Sequence, residues 1–330
     1  MRLPEKKLRM LMDAKLLNPK MLSMFGQGGA MFGVALNEVI KEHPEIIVLS
    51  SDMSTPAGLD KFKAAYPENF INMGIAEQNM IGTAAGLCDE GYKTISVAQA
   101  CFLSMRSFEQ IRQYVGYMKT NQILVGIGSG FSLGMMGNTH YAIEDMALMR
   151  MIPNMTVVAP CDALEAAKLL ESAVEYNQPI YIRLFGGTGT AVVHNSDIDF
   201  KIGKAIPLRE GRDVQIIATG SMVHNALKAA ELLQEEGISA SVVDMHTVKP
   251  IDDSAIGRDY KLIVTVEEHL LNGGLGDAVG AVLLTRDSHP KLLKLGITKP
   301  FSEVGNADYL QEYNGLSPQG IKDSIINSLR

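Results

Sequence analysis

A chain of 330 residues has the length for about two domains at roughly 150 residues each. Hydrophobic residues make up 46% and charged residues 20%, which excludes a disordered chain, and a net charge of -7 gives no basic footprint for nucleic acid. No stretch approaches the ~18 uninterrupted apolar residues of a membrane span, and Lys6, Lys7, Arg9, Asp13, Lys15 and Lys20 break the apolar positions near the start, so neither a span nor a secretory signal fits and a cytoplasmic protein is expected.

In chain order, LRMLMDAKLLNPKML near the start has helical spacing, and it reads equally as a surface helix or as an arm over residues 1–29 lying on a partner. Short apolar runs then alternate with longer amphipathic windows, the pattern of an α/β protein built on parallel sheets. Strands are predicted at Glu45 to Ser51, Lys93 to Val97, Gln122 to Ile127, Thr156 to Ala159 and Ile180 to Leu184. Helices are predicted near Ala76 to Glu90, Phe102 to Met118, Thr139 to Met151 and Asp162 to Tyr176. A polar, Gly-rich stretch from Gly186 to Asp197 separates this unit from a second alternating series. That series has strands at 214–220, 239–245 and 261–268, a helix from Met222 to Glu236, and another after Asn272-Gly273-Gly274. The predicted organisation is one domain over 30–192 and a smaller one over 193–330. Cys88, Cys101 and Cys161 are odd in number and form no C-x-x-C, so they read as reduced core residues.

The segment Asn72 to Met80 (NMGIAEQNM) leads into a helix rich in small residues: Gly82, Ala84, Ala85 and Gly86. It puts Glu77 in a first helical turn, where an acid often does no more than complement the helix dipole. The surroundings point further. Residues 58–93 (GLDKFKAAYPENFINMGIAEQNMIGTAAGLCDEGYK) closely resemble the corresponding segment of transketolase and 1-deoxyxylulose-5-phosphate synthase, two thiamine diphosphate families. The resemblance continues through RSFEQIR (106–112), THYAIEDMA (139–147) and IPNMTVVAPCDALEA from Ile152. In the second domain it extends through VVDMHTVKPID (242–252) and VTVEEHLLNGGLGDAV (264–279). It implies a pyrimidine-binding domain followed by a transketolase C-terminal-like domain.

The resemblance assigns Glu77 the carboxylate that hydrogen-bonds the cofactor's aminopyrimidine nitrogen, so that the cofactor acts as its own base. Phe102, and Ile75 beside Glu77, are the candidate apolar contacts for the flat ring. Phe102 reads equally well as a helix-core residue, and Phe108 better as core than as ligand. His140, in Gly137-Asn138-Thr139-His140, resembles the family's substrate-facing histidine, placed to meet sugar hydroxyls and move protons near neutral pH. The other histidines show no metal-ligand spacing and read as structural.

Departures from the family are equally informative. Met135-Met136-Gly137 stands where an acidic residue usually reads substrate hydroxyls, and Gly128 where a second histidine is usual. The positions of the sugar-phosphate arginines fall near Gln27-Gly28 and Gly186, whereas Arg106 and Arg183 remain as anion-binding candidates. A substrate other than the standard pentose phosphates follows, or anion-binding groups from another chain. The family also holds the diphosphate through Mg2+ or Ca2+ on a G-D-G sequence and a later Asn. Gly276-Asp277-Ala278 lacks the third glycine and sits in the second domain. The resemblance therefore implies the C-terminal subunit of a split transketolase. Its thiamine diphosphate and metal site would be completed by an N-terminal partner subunit, in a dimer of heterodimers acting on sugars. The alternatives are a deoxyxylulose-phosphate-synthase-like enzyme, a 2-oxoacid dehydrogenase beta-like subunit, or a non-catalytic regulatory subunit.

Overall fold

A computed structural model describes residues 24–186 and 190–330, so most of the expected N-terminal arm lies outside the described residues. Gly26–Met31 run directly into the helix Phe32–Val39.

Among the described residues, twelve strands form two sheets. The first domain supplies β1 (Ile46–Ser50), β2 (Phe70–Asn72), β3 (Lys93–Gln99), β4 (Gln122–Ile127), β5 (Thr156–Val158) and β6 (Ile180–Leu184). The second supplies β7 (Ile206–Arg209), β8 (Val214–Ala218), β9 (Ala240–Asp244), β10 (Thr247–Lys249), β11 (Leu262–Leu270) and β12 (Lys291–Ile297). The central runs, such as IIVLS of β1 and QILVGI of β4, are buried at every residue. Helices cover both faces of such a sheet, so there is no solvent side to select alternation.

The sheet orders are β10-β5-β6-β4-β3-β1-β2 and β12-β11-β8-β9-β7. All pairs are parallel except β10 on β5 and β7 on β9. The fold is thus two mostly parallel α/β units, as the sequence predicts.

Two predicted helices are broken. Phe102 to Met118 divides into π-helical turns at Phe102–Arg106 and Arg112–Tyr117 around a short helix, Phe108–Ile111. Ser104 and Ser107 donate their hydroxyls back to the carbonyls of Ala100 and Leu103 at 2.7 and 2.6 Å, a bond that bends helices. The other helix starts only at Asp145, because Gly137 at φ +82° ends the preceding turn and Ala142 exchanges backbone hydrogen bonds with Gly130.

The expected division at 192/193 falls between β6 and β7, yet the halves are not separate bodies. β10 belongs to the second half in sequence and adds itself to β5 of the first sheet, pairing Thr247 with Val158 and Lys249 with Val157. One apolar cluster joins Met80, Leu124 and Met146 to Met245, Val248, Ile263 and Leu275. Lys249 Nζ also donates to the carbonyls of Arg150 and Ile152 at 2.9 and 2.6 Å.

Candidate functional site

Glu77 is the first residue of the helix Glu77–Asp89. The loop that delivers it is fixed on both sides. Met73 donates its N–H to Ser50 at the end of β1, and Asn72 Oδ1 accepts from the N–H groups of Asp52 and Gly74. Gly74 at φ +69° takes a left-handed conformation that a side chain would disfavour. The result is a carboxylate only 2% exposed at a helix N-terminus, where backbone N–H groups favour negative charge.

Three other predicted residues gather around it. Arg106 Nη1 lies 2.9 and 2.8 Å from the two oxygens of Glu77, and Gln78 Nε2 donates to the Arg106 carbonyl at 3.1 Å. The guanidinium covers the Phe102 ring, with its carbon 4.2 Å from the centroid. His140 meets that ring edge-on at 5.6 Å, and its Nδ1 is 2.9 Å from Thr139 Oγ1. The irregular turn at Phe102–Arg106 puts Phe102 and Arg106 within reach of one another; Phe102 is half-buried, and its neighbours Ala100 and Cys101 are core. Burial pushes the Cys101 thiol up to about 12, so it is no nucleophile near neutral pH. Ile75 precedes the group and is 75% exposed.

Arg183 does not join them. It stands in the fully buried strand β6, with Nε 3.0 and 2.9 Å from the Asp145 oxygens and Nη2 donating to the carbonyls of Ala142 and Glu268. Tyr181 donates to the same carboxylate at 2.8 Å. Arg183 thus faces carbonyls across the domain junction, away from the group around Glu77.

The positions that depart from the family pattern converge, which the sequence did not reveal. Gln27 is buried and its Oε1 accepts the N–H of Phe185 at 3.0 Å. A Cβ added to neighbouring Gly186 would meet Ser132 Oγ at 2.7 Å and Gly128 Cα at 3.2 Å. Positions 27, 128 and 186 thus surround one corner, with small residues and an amide there. At the other departure, Asp277 has a structural use: its carboxylate accepts the Gly273 N–H at 2.6 Å and pairs with Lys294 at 2.7 Å. Among the described residues, no helix is long and apolar enough to cross a membrane, and all three cysteines are free.

Comparison with known proteins finds similarity along both halves of the chain. The family model for the transketolase pyrimidine binding domain covers residues 28–185, and that for the transketolase C-terminal domain covers 203–321. A putative transketolase C-terminal section from Methanocaldococcus jannaschii is 39% identical over 91% of this chain and 95% of its own. One of the subunits of an apulose-4-phosphate transketolase from Phocaeicola vulgatus is 35% identical over 88% of this chain and 93% of its own. Among solved structures, a split gene transketolase described as an inactive β4 tetramer superposes with a TM-score of 0.82 at 40% identity, covering 91% of this chain and 96% of that one.

Proposed function

The chain belongs to the transketolase family, and on that premise we propose that it is the C-terminal subunit of a two-chain thiamine diphosphate enzyme that moves a two-carbon ketol unit from a ketose to an aldose. The observation that carries this reading is the buried Glu77 carboxylate whose close side-chain partner, Arg106, is itself 44% exposed. A scaffold has no need for a buried acid beside a withdrawable cation.

The donor set fits an aminopyrimidine: a fixed carboxylate to share a proton with a ring nitrogen, and the face of Phe102 with the exposed Ile75 for apolar contact. Bound thiamine diphosphate would supply an acidic thiazolium carbon able to take up and release the two-carbon unit. Glu77 holds the proton at the ring nitrogen. Arg106, freed from Glu77, is available to an anionic group on the substrate or cofactor. His140 offers a ring nitrogen to sugar hydroxyls, braced by Phe102 and Thr139.

The partner would carry the diphosphate and its Mg2+ or Ca2+, and the expected assembly is a dimer of heterodimers. Its dock is supported by Ile75, Met135 and Met136, large apolar side chains exposed beside Glu77 and His140 in sequence. The Phocaeicola relative, named as one subunit among others, and the inactivity ascribed to a tetramer of β chains alone favour dependence on a second chain. The small residues at 128 and 186 and the amide at 27 favour a substrate other than the standard pentose phosphates.

The test is reconstitution with the N-terminal partner. Ketol transfer should require both chains and vanish in Glu77→Gln without loss of assembly. Carbon dioxide release from pyruvate by the pair would instead assign deoxyxylulose-phosphate-synthase-like chemistry. Failure to bind thiamine diphosphate would make the chain regulatory.

A further inference from the structure

Away from Glu77, four side chains converge that sequence spacing gave no reason to group: Cys161, Glu165, His194 and Asp244. One ligand atom from each lies within 4.8 Å of all the others, and the residues are 5%, 0%, 6% and 0% exposed. They come from four places. Cys161 follows β5, and Glu165 is in the first turn of the helix Ala163–Glu175. His194 lies in the connection between the sheets, and Asp244 ends β9.

The atoms that face one another lack partners. Glu165 Oε1, His194 Nε2 and both oxygens of Asp244 are buried without a hydrogen bond, and His194 Nε2 stops 3.7 Å from Asp244 Oδ2. An unpaired buried carboxylate is strongly unfavourable, so oxygens clustered beside a thiol and an imidazole need either shared protons or a bound cation.

The surrounding bonds aim these groups inward. Glu165 uses its other oxygen to accept the Cys161 N–H at 2.6 Å. Asp162 caps the helix by accepting the Glu165 N–H at 2.9 Å, and its second oxygen accepts the N–H groups of Val193 and His194 at 3.0 and 2.7 Å. One carboxylate thus fixes the backbone of two ligands, Glu165 and His194, and Glu165 fixes that of Cys161.

We infer that Cys161, Glu165, His194 and Asp244 form a structural zinc site that ties the first domain, the connecting segment and the second domain together. Thiolate and imidazole select zinc over Mg2+ or Ca2+, which would take six or more oxygens. Four protein ligands in a buried position leave no open place for water or substrate, so the site is structural and not catalytic. The rival arrangement places protons among the carboxyls and the thiol in the ion's stead.

Metal content of the full-length chain, purified without immobilised-metal chromatography, decides between them. The expected result is one zinc per chain, removed by a strong chelator with a fall in melting temperature of at least ~5 °C. Zinc should restore that temperature, and Mg2+ or Ca2+ should not. Cys161→Ser and His194→Ala should retain less than a tenth of the zinc. If those variants do not fold, cobalt loaded into the stripped wild type should show a thiolate-to-cobalt absorption band. A metal-free chain that melts at the same temperature with chelator and with added zinc overturns the inference and assigns protons to the cluster.

Discussion

Nη1 of Arg106 contacts both carboxylate oxygens of Glu77, at 2.9 and 2.8 Å, while nearly half of the Arg106 side chain stays open to solvent. The buried acid is neutralised by a partner that is free to leave. A ring nitrogen arriving at Glu77 therefore exchanges one hydrogen bond for another and does not have to desolvate a bare carboxylate.

Glu77→Gln keeps the shape and one oxygen for Arg106 but removes the ionisable carboxyl that would share a proton with the ring nitrogen. In the reconstituted enzyme its turnover should fall at least ~100-fold, in the range general acid–base groups supply. Its melting temperature should move by only a few degrees. Turnover near wild type would remove Glu77 from the chemistry.

His140 touches the Phe102 ring and Thr139 but no buried charge. His140→Ala should raise KM for the sugar substrates about tenfold, the worth of one hydrogen bond to a hydroxyl. Thiamine diphosphate affinity should stay unchanged. Isothermal titration with the cofactor and initial rates with sugar separate the two; a loss confined to cofactor affinity would make His140 part of the ring cradle.

Arg183→Met strands Asp145 in the core with only the Tyr181 hydroxyl, and should cost about 3–5 kcal/mol in a urea titration. Asp145→Leu combined with Arg183→Met should cost less than either change alone, because no charge is left unpaired. A combined cost equal to the sum would mean that the pair is not coupled.

Burial pushes the Glu267 carboxyl up from 4.5 to about 7, opposed by the Leu275 and Gly276 N–H groups that it accepts and by the charges of Arg183 and Arg150. The folded chain therefore keeps a proton that the unfolded chain has already released above pH ~4.5. This group's contribution is most favourable at pH 4.5 and below, and declines as the pH rises to about 7. Glu267→Gln should flatten the stability change between pH 5 and 8 by on the order of 2 kcal/mol. Urea midpoints at the two pH values measure it, and an unchanged slope would mean that Glu267 is ionised in the fold.

The parts of this protein legible in the sequence are those written in contiguous residues. The IIVLS and QILVGI runs announce central strands because they are short, almost continuously apolar and rich in β-branched residues. Glu77 is legible because one short segment sets its helix start and its small neighbours. Its pairing with Arg106, 29 residues on, was not, because it depends on an irregular turn bent by Ser104 and Ser107. The pairing of Arg183 with Asp145 was not legible either. An arginine within IYIRL occupies a strand buried on both faces, where a charge needs a protein partner before it can serve a ligand. The strands β2, β7, β10 and β12 escaped because an edge position allows brevity, Pro207 and the two lysines of KLLKLGI. His194 and Asp244, 50 residues apart, meet only through the crossing of two sheets.

The seat that β10 takes in the first sheet governs how this chain can be cut. A fragment ending near residue 192 would expose the outer side of β5, a three-residue strand of TVV with no charge, Pro or bulge to guard it. Such an open edge recruits foreign strands. The first half made alone should come out as aggregate, and engineered fusions or tags belong at the C-terminus and not in the connection between the sheets.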